Sequence, residues 1–376
     1  MRGDPYVSPL GPPPLAPHKH AMKKFLIVLG LLIVVAGAAG ALYVQRTRSL
    51  ANDIAQAREL LETRQGKELI ARLAARYPGN AEVQFLRCRQ LALDADIVEA
   101  QLVLGQAAAL GYPNDQVRRE RWILTAFSNF RQAESYLQEM LASNKEDRDV
   151  AMSLARGYMQ GNKLRTAESL VGPIIQRNPA DGEALCLRAR IRLLDSNSVR
   201  AADDARKALA LGEDKFYHFA ARMLLAECME KLTDRDGNNL RRAYELYKLC
   251  KAERPSNSQA VYQFAQCAIY MERLEEALAA FNEFLELRPG NVDALLQISN
   301  IRISKKEYEE ALKILKAVEL QYPDDPQVLA QLAKIYTLLD RPDKAKEYEK
   351  RHKEWIKHLE EKSKDKQTPA PETPPK

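Results

Sequence analysis

The sequence is poor in the residue types that build enzyme and metal sites. It contains only five histidines and five cysteines in 376 residues. No two cysteines form a C-x-x-C pair, and their spacing matches no zinc-binding pattern. There is also no Ser-His-Asp or Cys-His arrangement, H-E-x-x-H motif or glycine-rich phosphate loop. We therefore expect a protein that is not an enzyme and holds no cofactor or metal, in which the cysteines serve as small buried hydrophobic residues.

Two further patterns are missing. No long run alternates between polar and apolar residues, so no β-sheet is predicted, and helix-forming residues dominate the central region. The net charge is only +6, and basic residues are interleaved with acidic ones, as on a solvated helix surface. Because no basic patch stands out, we do not expect nucleic acid as a partner. The composition predicts an all-α protein.

One long apolar run stands near the amino terminus. Residues 25–44 carry no charged side chain, and a helix of this length spans about 30 Å, the hydrocarbon thickness of a bilayer. We expect a transmembrane helix here that acts as a signal anchor and contacts lipid. The proline-rich residues 1–24 before it are predicted to be a disordered leader.

The same run has a second interpretation. Ala39-Gly40-Ala41 resembles a signal-peptidase site, and cleavage there would release a soluble periplasmic or secreted protein. We favour the uncleaved anchor because the run is long for a signal peptide and because Tyr43 and Arg46 resemble an interfacial anchor. With Lys23 and Lys24 held inside, the rest of the chain faces the non-cytoplasmic, periplasmic side. A cytoplasmic orientation stays open, since arginines also follow the run.

Proline-containing turns recur at a fixed spacing in the second half of the chain. They are Arg254–Asn257, Arg288–Asn291 and Tyr322–Asp325, and their prolines are 34 residues apart. A proline stops a helix because it cannot donate to the preceding turn. The Asn or Asp two residues later can accept from the free N–H groups of the next helix. The spacing predicts a chain of helix–turn–helix units.

The pattern between these turns resembles the tetratricopeptide repeat (TPR) family, whose period is about 34 residues. The alanine of the family motif is matched by Ala167, Ala277, Ala311 and Ala345. The resemblance implies a right-handed superhelical solenoid of about eight repeats over residues 49–350. A capping helix at residues 351–362 and a disordered tail at residues 363–376 are predicted to follow.

One helix of the array has an ambiguous register. In Gly182–Leu194, one alignment buries Arg188 and Arg192, whereas a shift by one residue buries Ala184, Leu187 and Ile191. We prefer the second register because it buries fewer charged groups.

The resemblance also implies where partners bind. TPR arrays use a concave groove lined by the first helix of each repeat, and its aromatic, methionine and amide groups suit peptides or helices. Carried over to this sequence, the groove residues are Met152, Arg156, Met159, Tyr262, Gln266, Ile269, Tyr270, Leu296 and Asn300. The clamp with which some family members hold a terminal carboxylate is not expected. Its positions carry no cation here, being occupied by Tyr262, Gln266, Gln297, Gln327 and Gln331.

These features predict a membrane-anchored scaffold or assembly factor that binds other proteins in its groove. The cleaved, soluble form of the same protein is one alternative. A non-catalytic subunit of an envelope enzyme complex is another.

Overall fold

The computed structural model describes residues 45, 47–232 and 237–365, with side chains to residue 359. These ranges contain helices and no β-strand. The predicted leader and transmembrane helix, residues 1–44, lie outside them. No helix within the described ranges is both long and apolar enough to cross a bilayer.

The described helices follow one another in pairs. They are α1 (47–59), α2 (Arg64–Arg76), α3 (Ala81–Leu93), α4 (Ile97–Ala109), α5 (Asn114–Ser128), α6 (Phe130–Ser143), α7 (Arg148–Gln160), α8 (Leu164–Arg177), α9 (Gly182–Leu194), α10 (Ser198–Leu209), α11 (His218–Lys231), α12 (Asn238–Glu253), α13 (Ser258–Tyr270), α14 (Leu274–Leu287), α15 (Val292–Ser304), α16 (Tyr308–Gln321), α17 (Pro326–Leu338) and α18 (Pro342–Asp365). We call the odd-numbered member of each pair the first helix and the even-numbered member the second helix.

The described part of the chain holds nine such pairs, whereas the sequence predicted about eight repeats. The turns at residues 144–147 and 210–217 contain no proline, so proline spacing alone does not mark every repeat. The pairs belong to two compact units, and the boundary between Arg121 and Trp122 falls within α5. In the first unit, α1, α2 and α3 share a core that includes Ile54, Ile70 and Leu86.

The predicted helix caps are present in the second unit. The side chains of Asn257 and Asn291 each accept a 2.9 Å hydrogen bond from the backbone N–H three residues later. Asp325 does the same at 3.0 Å. Each of these residues therefore satisfies an N–H group that the helix itself leaves unpaired.

The alanines of the motif are buried in the core of the array. Ala167, Ala277 and Ala311 have no exposed surface, and Ala345 is 4% exposed. A larger side chain at these positions would push neighbouring helices apart, because protein interiors leave no spare volume. All four motif alanines are therefore core residues.

The preferred register of α9 is also confirmed, since Ala184 and Ile191 are fully buried and Leu187 is nearly so. Arg188 and Arg192 are nevertheless only 15% and 18% exposed. They surround Asp204 of α10, whose side chain is 1% exposed. The two guanidinium groups can be largely buried because they share this buried carboxylate, which compensates their charge.

The last helix, α18, is continuous over 24 residues from Pro342 to Asp365. The predicted capping helix is thus part of the ninth pair, and it extends three residues into the predicted tail. Residues 366–376 lie outside the described ranges. Arg351 of α18 donates a 2.7 Å hydrogen bond to Glu319 of α16, and Tyr348 donates to the same carboxylate at 3.1 Å. These bonds join α18 to the preceding pair.

The cysteines behave as predicted. All five are free and buried. Burial raises the pKa of Cys228 and Cys250 to about 11 and that of Cys186 and Cys267 to about 12. A thiol with such a pKa is not ionised at neutral pH and is a poor nucleophile or metal ligand.

Candidate functional site

The predicted groove residues lie on three first helices of the second unit, α7, α13 and α15. Seven of the nine have at least partly exposed side chains. Met152 and Leu296 are only 1% and 3% exposed and belong to the hydrophobic core. Because their surroundings already cover them, we leave these two residues out of the candidate surface.

On α7, the charged groups are already paired. Arg148 donates to Asp181 at 2.6 Å and to Glu183 at 2.7 Å, and Arg156 donates to the other oxygen of Glu183. Burial by itself would lower the pKa of Arg148, but the hydrogen bonds to these two carboxylates outweigh it and raise the pKa. The arginine of the predicted groove therefore holds α7 against α9 and offers no unpaired charge to a partner.

The same kind of pairing continues to the next first helix. Arg190 of α9 donates a 2.6 Å hydrogen bond to Glu227 of α11. Met159, on α7, is half-buried and packs against the hydrophobic core. This part of the first-helix surface is a network of intramolecular ion pairs.

Tyr262 of α13 is fixed by aromatic packing. Its ring meets Phe281 and Phe284 of α14 edge to face, with centroid distances of 5.6 and 5.0 Å. The amide nitrogen of Gln266 donates to the tyrosine hydroxyl at 3.0 Å. The ring thus packs α13 against α14. The side chains of Tyr262 and Gln266 are both half-buried.

Four side-chain amides recur along α13, α15 and α17. Gln266 and Asn300 are 34 residues apart, as are Gln297 and Gln331, so each pair occupies one position of the repeat. We call these four residues the amide row. All four are half-buried. The Oε1 atom of Gln331 is buried without a hydrogen-bond partner among the described residues.

Apolar groups flank the amide row. Ile269 is half-buried and Tyr270 is 59% exposed at the end of α13. Leu338, two repeats further along at the same position, is 41% exposed at the end of α17. An amide offers both a donor and an acceptor, which is what the backbone of an extended peptide requires. The arrangement can therefore pair with a peptide backbone and accept apolar side chains beside it.

Sequence reasoning selected Gln266 and Asn300 for the groove but treated Gln297 and Gln331 only as evidence against a carboxylate clamp. Their 34-residue recurrence was a usable signal for the amide row. No group of three or more metal-ligating side chains occurs within the described residues.

Comparison with known proteins identifies the repeats. The model of the tetratricopeptide repeat family matches residues 124–191, 268–335 and 303–348. No curated protein matches the chain. In agreement with the resemblance read from the sequence, the chain contains tetratricopeptide repeats.

Solved structures with similar folds include the hetero-tetramer Cut9–Hcn1 of the APC/C. It has a TM-score of 0.57 and 13% identity, over 78% of this chain and 56% of that chain. YrrB, described as a TPR protein with an unusual peptide-binding site, has a TM-score of 0.42 and 21% identity, over 51% of this chain and 95% of its own. The pilF protein of Pseudomonas aeruginosa has a TM-score of 0.45 and 16% identity, over 54% and 89%. Because the sequence identity is low, the similarity to Cut9–Hcn1 supports the all-α repeat fold and nothing more specific.

Proposed function

We propose that this protein is a scaffold that binds an extended segment of a partner protein along the amide row. The observation that carries the proposal is the recurrence of four half-buried amides on three successive first helices, with one amide oxygen left without a partner. A buried acceptor without a donor costs about 1–3 kcal/mol. A peptide N–H group would recover this cost once the Gln331 side chain turns its buried oxygen towards the surface.

The neighbouring groups define what the partner segment offers. Tyr270 and Leu338 are exposed apolar anchors, so we expect apolar side chains that alternate with backbone contacts to the amides. The ion pairs of Arg156 and Arg190 are satisfied within the chain, so the segment needs no matching charge there. Binding rather than catalysis is the activity that these residues support.

Site-specific photo-crosslinking tests the proposal. A benzophenone amino acid placed at Tyr270 should capture a discrete partner in cells. The matched control carries it at Leu320, which is 86% exposed but lies on the second helix α16. We expect an adduct at residue 270 that disappears when Gln297 and Gln331 are replaced by alanine. Equal labelling from both positions, or labelling that survives the two substitutions, would count against the site.

We further propose that residues 25–44 anchor the scaffold in a membrane and that the repeats face the non-cytoplasmic side. The support is the uncharged run itself, with lysines before it and Tyr43 near its end. The chain should stay in the membrane fraction after alkaline extraction, and protease added to intact spheroplasts should remove its C-terminal tail. A mature amino terminus at Leu42 would instead support the cleaved form. A membrane-bound but protected tail would place the repeats in the cytoplasm.

A further inference from the structure

A cleft of about 430 Å³ lies between the second helices α10 and α12, above the first helix α11. Leu225, Met229 and Leu246 supply its apolar lining. Met229 is nearly buried, whereas the two leucines are half-exposed. The cleft is separate from the amide row, which lies on the first helices α13, α15 and α17.

The sequence of α10 explains why this space is open. At the two positions where α14 carries Phe281 and Phe284, α10 carries Ala205 and Ala208. Both alanines are fully buried, so at these two positions α10 packs against its neighbours through small side chains. Helices α9 and α10 are then close, but less side-chain volume is available to fill the space towards α12.

The rim of the cleft carries an excess of positive charge. Arg206, Arg241 and Arg242 line it together with a single carboxylate, Glu245. The guanidinium of Arg206 pairs with the exposed Asp203 at 2.8 Å. Among the residues that the structure describes, the guanidinium groups of Arg241 and Arg242 have no hydrogen bond or ion pair. Within that part of the chain, no partner competes with an anion for them.

We propose that this cleft binds a small amphiphilic anion, an alkyl chain that ends in one carboxylate. The chain would lie on Leu225, Met229 and Leu246, and the carboxylate would accept from Arg241 and Arg242. A guanidinium fork matches the geometry of a carboxylate and is weakly hydrated, which favours such pairs.

The size of the cleft favours a small molecule over a protein. Small-molecule sites typically have volumes of roughly 300–1,000 Å³, and this cleft falls within that range. Stable protein interfaces use about 20–30 residues on each side, whereas seven residues line the cleft. An acidic peptide with one apolar side chain is the competing occupant, and the experiment separates the two.

The test uses the full chain in nanodiscs of zwitterionic lipid with 13C-labelled methionine methyl groups. Octanoate is titrated while the Met229 signal is followed by NMR. Octanol and octyltrimethylammonium, which have the same chain but a neutral or a positive head, serve as ligand controls. We expect a saturable shift with octanoate, binding of octanol that is weaker by about tenfold or more, and no binding of the cation.

Two variants locate the head and the chain of the ligand. R241Q/R242Q should weaken octanoate binding by about tenfold or more, whereas R200Q, an exposed arginine of α10 outside the cleft, should not change it. L246W should abolish binding by filling the cleft while helical content and thermal midpoint are retained. The proposal is overturned if octanoate gives no saturable shift, if octanol binds equally well, or if only an acidic peptide moves the Met229 signal.

Discussion

Replacing Asp204 by alanine is the sharpest test of how the middle of the array is held together. This carboxylate is 1% exposed and accepts two hydrogen bonds from Arg188 and one from Arg192, each of 2.8 Å. Among the residues that the structure describes, Asp204 is the one acid that both arginines share. The substitution leaves two guanidinium groups facing a small cavity between α9 and α10.

The expected cost follows from these contacts. Removing one partner of a buried ion pair typically costs about 3–5 kcal/mol, because the remaining charge is left uncompensated. Here the side chains of Arg188 and Arg192 are 15% and 18% exposed to solvent, and Arg192 also donates a 2.8 Å hydrogen bond to Glu168. Both features allow partial compensation. We therefore expect a loss of about 3 kcal/mol in local stability, at the lower end of that range.

Native-state hydrogen exchange is the suitable assay, because a repeat array does not unfold as one two-state unit. Amides of α9 and α10 should exchange about 100-fold faster in the variant, since each 1.4 kcal/mol corresponds to a factor of ten. Asp203→Ala is the matched control. Asp203 is the adjacent residue, but it is 55% exposed and pairs with an exposed arginine, so we expect a change below about 0.5 kcal/mol. Equal effects of the two substitutions would refute the reasoning.

Three further outcomes are expected. The five buried thiols, two of which have a pKa of about 11, should resist iodoacetamide at pH 8 until denaturant is added, and rapid alkylation of the native chain would contradict their burial. Gly157→Ala should destabilise α7 by roughly 1–3 kcal/mol, because the new methyl group would overlap the ring of Phe130. Gly105→Ala, whose new methyl group meets no atom within 4 Å, should instead stabilise α4 by up to about 1 kcal/mol, and urea melts would compare the two. Burial alone would raise the pKa of Glu319, but hydrogen bonds from Lys316, Arg351 and Tyr348 lower it. These bonds therefore stabilise the fold above the usual glutamate pKa, and their contribution is lost as the pH falls through the folded-state pKa. In Glu319→Gln, melting curves recorded across that pH range should lack this contribution, and an unchanged acid dependence would contradict it.

The fold could be predicted because its signals are local. A proline ends one helix and an Asn or Asp begins the next, and the distance between these two residues is fixed by the turn. The alanine row was equally visible, since close helix packing requires a small side chain wherever the repeat places it. Both kinds of signal lie within one repeat and do not depend on its neighbours.

The candidate site could be predicted only in part, because it depends on contacts between repeats. The partners of Arg148 lie 33 and 35 residues further along the chain, and nothing near Arg148 in the sequence indicates them. Met152 was assigned to the groove by its repeat position, but the neighbouring helices cover it. The cleft beside α10 exists because Ala205 and Ala208 leave space unfilled. That space can be recognised only from the packing of α10, α11 and α12.

The central claim is that the amide row binds the backbone of a partner segment. The direct test is to synthesise the segment captured from residue 270 and to measure its affinity by calorimetry. The Q297A/Q331A variant should bind at least about 30-fold more weakly, as expected for two lost hydrogen bonds of about 1 kcal/mol each in a half-buried site. Gln321→Ala, an exposed glutamine on the second helix α16, should bind like the unaltered chain. Unchanged affinity in Q297A/Q331A would contradict the account.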